Sequence, residues 1–266
     1  GPLDSFAPKA QIIHIDIDPA EISKNVPAYL PIVGDAKNAL KQLADLLPKA
    51  EHAEWIAYLG EVAEAHPLKG KMQGVTTPNI LRILKKLVED PILVTDVGRH
   101  QMYAAHYFPV EPNRSFITSG GLGTMGFSVP AAIGAKRGVP DKTVVDIVGD
   151  GSFMMTCQEI ATAVEENITV LILIMNDYCL GMISQLQDSF YGKRHQACRF
   201  GRNVDFARLA EAMGALGLTV SADREIVPAL EQALAGNRTS VIDFRLEEAA
   251  NVYPMVTGAS LLDYVE

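Results

Sequence analysis

Two acidic residues draw attention by their positions. Asp150 lies between two glycines in GDG, directly after the apolar run VVDIV, and Asp177 closes the run VLILIMND. A β-branched apolar stretch followed by Gly or Asp predicts a strand and its carboxyl-terminal turn. The 27-residue interval between the two acids fits a helix, a turn and a returning strand, so both tips are expected side by side. Two carboxylates aimed at one point are hard oxygen ligands. Few protein ligands of this kind suit Mg²⁺, which keeps open positions for phosphate oxygens. Gly149 and Gly151 allow close backbone approach, and a helix starting at Ser152 offers free N–H groups to an anion. The chemistry expected here is a cation that holds a diphosphate.

The elements that must position these acids follow from hydrophobic periodicity. Residues 10–18 (AQIIHIDID) read as a strand, and GDAKNALKQLADLLPKA as a helix with Leu40, Leu43, Leu46 and Leu47 on one face. A polar segment from about residue 51 to 74 carries one amphipathic helix. From Thr76 onward helices and strands alternate. TTPNILRILKKLVED is a helix; PILVTDVG and RSFITS are strands; GFSVPAAIGAKRG is a helix. KTVVDIVGD and ITVLILIMND are strands around the helix SFMMTCQEIATAVEEN. DFARLAEAMGA and EIVPALEQALAG are helices alternating with the strands LTVSA and TSVIDFRL. Continuous Val/Ile/Leu strands between helices predict an α/β fold, a parallel sheet covered by helices on both faces.

Composition narrows the partners. The 266 residues are 48% hydrophobic and 21% charged, with a net charge of −9, which disfavours nucleic acid or an anionic membrane. The longest apolar run, VLILIM, is strand-sized and far short of a bilayer span. Cys157, Cys179 and Cys198 form neither a zinc knuckle nor a redox pair, and the expected location is a reducing cytoplasm. His14, His52, His66, His106 and His195 show no zinc spacing. A second glycine motif, GGLGTMG, places Gly121, Gly123 and Gly126 in G-x-G-x-x-G spacing with Asp146 about twenty residues on, the outline of a dinucleotide site. The strand before it is short, and Asp146 falls inside a strand that itself ends in GDG. The cation reading therefore takes precedence.

GDG followed by ND resembles the motif of thiamine diphosphate-dependent enzymes, whose second element is usually Asn-Asn. LVTDVGRHQMYAAHYF, TSGGLGTMGFSVPAAIGA, NDYCLGMISQ and PMVTGAS are similar to the catalytic large subunits of acetolactate synthases, and IIHIDIDPAEISKNVPAYLPIVGDAKNAL resembles the end of their central FAD-binding domain. The resemblance implies a thiamine diphosphate-binding fold preceded by the tail of a Rossmann-like central domain. Its expected boundaries are residues 1–47 for that tail, 48–75 for a linker, 76–246 for the thiamine diphosphate and Mg²⁺ domain and 247–266 for a C-terminal tail. It also implies that Asp150, Asp177 and the backbone carbonyl of Cys179 hold Mg²⁺. Val97, Gly98, Arg99, His100, Gly123, Met125, Gly151, Ser152, Leu180, Gly181 and Met182 would contact thiamine diphosphate, with Met125 holding the cofactor in its bent, reactive form. Asp16, Asp18 and Asp35 would remain as FAD contacts.

The activity so implied joins two pyruvates, with loss of CO₂, into 2-acetolactate for branched-chain amino acid synthesis. A homodimer or tetramer and a regulatory small subunit are the implied partners. Pyruvate oxidase or carboligase chemistry, or a non-catalytic module keeping the fold, are the alternatives. Three departures from the family pattern stand out. Asp177 replaces the usual Asn, Arg99 replaces the common Gln, and Leu186 replaces a Trp that favours 2-oxobutanoate as second substrate. The catalytic Glu of the family lies in an amino-terminal domain outside this sequence, so the 266-residue chain is expected to be the carboxyl-terminal portion of a longer enzyme and inactive alone.

Overall fold

The computed structural model describes residues 3, 6–111, 114–201, 204–247, 250–256 and 264–265. The chain divides into two compact units, residues 1–68 with 253–266, and residues 69–252.

In the first unit, β1 (Ile13–Asp16) pairs in parallel with β2 (Leu30–Val33). The strand expected over residues 10–18 is thus four residues long, and β2 was not expected from the sequence. Pro31 lacks the N–H a ladder needs, which masks the strand pattern, but a two-stranded sheet has only edges and tolerates it. Helix α1 (Ala36–Leu46) starts at Asp35, whose carboxylate accepts a hydrogen bond from the Asn38 N–H at 2.9 Å. The leucine face forms as expected, with Leu40, Leu46 and Leu47 left exposed. Helix α2 (Ala53–Ala65) follows.

The second unit runs α3 (Thr77–Leu87), β3 (Ile92–Thr95), α4 (Arg99–Tyr107), β4 (Phe116–Thr118), α5 (Ser128–Gly138) and β5 (Val144–Gly149). It continues with α6 (Asp150–Thr156), α7 (Glu159–Glu165), β6 (Leu171–Asn176), α8 (Gly181–Phe190), α9 (Phe206–Ala212), β7 (Leu216–Val220), α10 (Ile226–Ala235) and β8 (Ser240–Arg245). Pro78 and Pro130 sit in the first turns of α3 and α5, where no intrahelical N–H is required. The helix expected from Ser152 begins at Asp150 and is interrupted by a turn at residues 157 and 158. In the first unit, β9 (Met255–Val256) and β10 (Tyr264–Val265) pair antiparallel. The PMVTGAS motif continues into residues 257–260, outside the described residues.

All six strands of the second unit are parallel, in the order β4-β3-β5-β6-β8-β7. Strand alternation divides the core between two layers. Leu93, Val145, Ile147, Leu173 and Ile242 pack on one face with Ile80, Leu81 and Leu84 of α3, Ala104 of α4 and Leu230 of α10. Val94, Val148, Ile172, Ile174 and Val241 pack on the other with Val129 of α5, Phe153 of α6, Ile160 of α7 and Phe206 of α9. Burial on both faces explains why these strands read as unbroken apolar runs. From β3 the chain goes outward to β4, then crosses to β5 on the opposite side. That reversal opens a crevice at the carboxyl ends of β3 and β5, where ligands bind in open α/β sheets.

Candidate functional site

A cavity of about 230 Å³ opens at that crevice. Register puts its two acids together: Gly149 pairs with Met175 across β5 and β6, so Asp150 and Asp177 leave neighbouring strand ends. Both line the cavity, and Asp150 is only 4% exposed. Burial, and then the Asp177 charge, pushes the Asp150 carboxyl up from 3.8 to about 7, while the N–H groups of Gly151 and Tyr178 pull the other way. Burial also raises Asp177, against the opposing pull of Arg99. The Gly151 N–H donates to Asp150 Oδ1 at 2.9 Å.

Arg99, the first residue of α4, reaches across from the β3 side. Its Nη2 donates to Asp177 Oδ2 at 2.5 Å, and the two side chains are 5% and 11% exposed. Its Nη1 donates to Asn251 Oδ1 at 3.1 Å. His100, next in sequence, is buried and lowered from 6.5 to about 4, chiefly by burial. Its Nε2 is buried without a hydrogen-bond partner, and its imidazole takes the space that glycines leave. A Cβ on Gly149 would come within 2.9 Å of the ring, and one on Gly98 within 2.7 Å.

The glycine-rich loop supplies another wall. Gly123 and Gly126 adopt φ of 63° and 83°, the left-handed region where glycine is favoured. Met125, half-buried between them, lines the cavity with Val97 and Gly123. The loop is fastened to the tip of β3 by Asp96, a buried carboxylate that accepts from the N–H groups of Val97, Gly126 and Ser128 at 2.8, 3.2 and 2.9 Å. Gly151 and Ser152 of α6, Cys179, and Leu180, Gly181 and Met182 at the start of α8 complete the enclosure.

Every residue expected to meet thiamine diphosphate or Mg²⁺ therefore borders a single cavity. Asp16, Asp18 and Asp35 belong to the other unit. Asp16 borders a shallow groove there with His14 and Glu21. All three accept backbone hydrogen bonds, Asp16 from the Asp18 N–H, Asp18 from Ala20 and Asp35 from Asn38. Asp146, the acid of the rival glycine motif, is fully buried within β5. Leu186 lies on α8 outside the cavity lining. The sequence reading missed Asp96, although it follows an apolar strand in TDVG just as Asp150 does. It also missed Thr76, Thr77 and Ala250 on the cavity wall, which no motif marks.

The donor set fits a cation bound together with an anionic ligand. Among the described residues no three His, Cys, Asp or Glu side chains gather as a metal cluster. Taken together, the Asp150 and Asp177 carboxylates and the Arg99 guanidinium sum to one negative charge, which hard cations with open positions suit. The orphaned Nε2 of His100 adds a polar atom waiting for a partner beside that point.

Comparison with known proteins identifies the family. The family described as "Thiamine pyrophosphate enzyme, C-terminal TPP binding domain" matches residues 96–244, and its "central domain" matches residues 1–43. The chain is 42% identical to an "Acetolactate synthase" of Mycobacterium bovis, over all of this chain and 46% of that protein. It is 40% identical to a "Probable acetolactate synthase large subunit" of Methanococcus aeolicus, over all of this chain and 48% of that protein. It is 39% identical to the "Acetolactate synthase isozyme 3 large subunit" of Escherichia coli, over 95% of this chain and 46% of that protein. The chain thus spans about half the length of the curated relatives it matches.

Proposed function

The chain belongs to the thiamine pyrophosphate enzyme family, and on that premise we propose that its cavity binds thiamine diphosphate through Mg²⁺ in the service of acetolactate synthesis. One observation carries the reading: two carboxylates from adjacent strand ends, one of them paired with the Arg99 guanidinium, face the same cavity as the glycine loop. Asp150, Asp177 and the Cys179 carbonyl would hold the cation. Gly151 and Ser152 would meet the diphosphate, where the absence of a Cβ on Gly151 leaves room beside Leu180 and Phe200. When bound, thiamine diphosphate supplies a nucleophilic carbon and an electron sink for decarboxylating one 2-oxo acid and joining the remaining fragment to another.

The chain's own residues orient and enclose. Met125 supports the bent form from the loop that Asp96 fastens. His100, neutral at physiological pH because burial lowers it to about 4, offers one hydrogen bond from Nε2 without adding charge. Val97, Leu180 and Met182 keep water from the reacting atoms.

The same reading assigns residues 76–246 to the cofactor domain, 1–47 to the end of a central domain that binds FAD structurally, 48–75 to a linker and 247–266 to a tail. Pyruvate is the proposed substrate. A homo-oligomer and a small regulatory subunit are the proposed partners, in keeping with the "large subunit" in the relatives' names. Three buried free thiols support a reducing cytoplasm as the location. Calorimetric titration with thiamine diphosphate tests the reading. Binding is expected with Mg²⁺ present and lost on adding EDTA. Mg²⁺-independent binding, or none, overturns it.

A further inference from the structure

We infer that Arg99 is the positioning residue of this cation site, and that Arg99 and Asp177 act as one unit fixing both the orientation of the carboxylate and the net charge the cation meets. The inference rests on the function proposed above. From sequence alone the two residues are independent departures from a family pattern, 78 positions apart. The fold joins them in a 2.5 Å side-chain contact nearly out of reach of solvent.

Neither partner is loose. Asn251 accepts from Arg99 Nη1 at 3.1 Å and donates to Asp188 Oδ2 at 2.9 Å, and Asp188 Oδ1 lies 3.0 Å from His195 Nε2. The guanidinium also lies against bare backbone, since a Cβ on Gly181 would approach Arg99 Nε to 2.3 Å. Anchored through Nη1 at Asn251 and wedged over a glycine, the side chain presents Nη2 to Asp177.

Charge accounting gives the pair its purpose. Among these three side chains, Asp150 and Asp177 carry two negative charges and Arg99 one positive charge, a net single negative charge. An Asp177→Asn change removes one carboxylate and leaves the guanidinium facing Asp150, bringing the net charge to zero. Removing both members, as in Arg99→Gln with Asp177→Asn, restores the net single negative charge by a different route. Two neutral amides and two paired ions are thus alternative solutions of one electrostatic condition, while either half-change violates it. A buried pair broken on one side leaves an uncompensated charge, which is the costly case.

The test is a cycle of the wild-type chain, R99Q, D177N and the double variant, titrated with Mn²⁺ in the presence of thiamine diphosphate. Thermal unfolding in EDTA of the same four proteins reports that they are folded. D177N is expected to weaken Mn²⁺ affinity by about tenfold or more, and the double variant to return within about threefold of wild type. A pair that serves only the fold would shift unfolding temperature and leave the double variant binding as weakly as D177N; that result overturns the inference. Should D177N not fold, Asn251→Ala decides. It keeps every charge but removes the Asn251 anchor of Arg99, and is expected to weaken Mn²⁺ binding by about two- to threefold; unchanged affinity overturns the inference. If the wild-type chain binds neither Mn²⁺ nor thiamine diphosphate, the function proposed above fails and this inference with it.

Discussion

Replacing Asp150 with Asn should make the ligand-free protein more stable as pH rises, while abolishing cation binding. Asp150 titrates near 7 in the folded chain against 3.8 ordinarily. Between those values the folded state holds a proton that the unfolded chain has released. The stability this contributes is fully present below 3.8 and is lost as pH rises through about 7. The interval is about three pH units at 1.36 kcal/mol each, so Asp150 destabilises the metal-free fold by roughly 4 kcal/mol at mildly alkaline pH. His100 slopes the opposite way. Lowered from 6.5 to about 4, it costs stability as pH falls below 6.5. It is common to both proteins, so the difference between D150N and wild type reports Asp150 together with its charge coupling to Asp177. Urea unfolding in EDTA across the range from about pH 4 to pH 8.5 measures that difference. D150N should gain on the wild type progressively up to neutrality and then level off. Mg²⁺ with thiamine diphosphate should stabilise the wild type alone, and more at about pH 8 than at pH 5, because proton and cation compete for one carboxylate. Parallel pH profiles for the two proteins would refute the argument that Asp150 is buried without enough positive charge.

Two further substitutions probe the frame. Gly181→Ala forces a methyl group against an Arg99 that is held by Asp177 and Asn251. It should cost about 1–3 kcal/mol, read by urea unfolding, and an unchanged midpoint would mean Arg99 is free to move aside. Phe153→Ala removes a fully buried ring that meets Phe206 edge-on at 5.5 Å beneath the GDG turn. A loss of about 3–5 kcal/mol is expected, together with weaker Mg²⁺-dependent binding of thiamine diphosphate as α6 loosens.

The sequence displayed the sheet well because its strands are buried on both faces, so Val144–Gly149 and Leu171–Asn176 stand out as apolar runs. Helices α4 and α8 left little trace. Arg99, His100, Ser184 and Gln185 are buried polar residues, and a helix that packs its polar side chains inward has no amphipathic signature. Motif and spacing made Asp150 and Asp177 legible, since strand tips one crossover apart must meet. The Arg99–Asp177 pair was not legible, because a contact between distant charges depends on which tip faces which. The turn at residues 157 and 158 likewise escaped notice, both residues remaining right-handed in backbone conformation.

The strand order also bears on how the protein reaches its native state. Joining β5 to β6 closes one short crossover, whereas joining β3 to β5 sets Ile92 beside Val144 and requires β4 and α5 to be looped out first. Loop-closure entropy makes the second pairing the slower to form. The two carboxylates can therefore come together before the guanidinium arrives from the β3 side. Early in folding they would repel each other without a counterion, and a cation captured at that moment would guide the final docking. A cation that favours the finished site would then also speed the pairing that builds it.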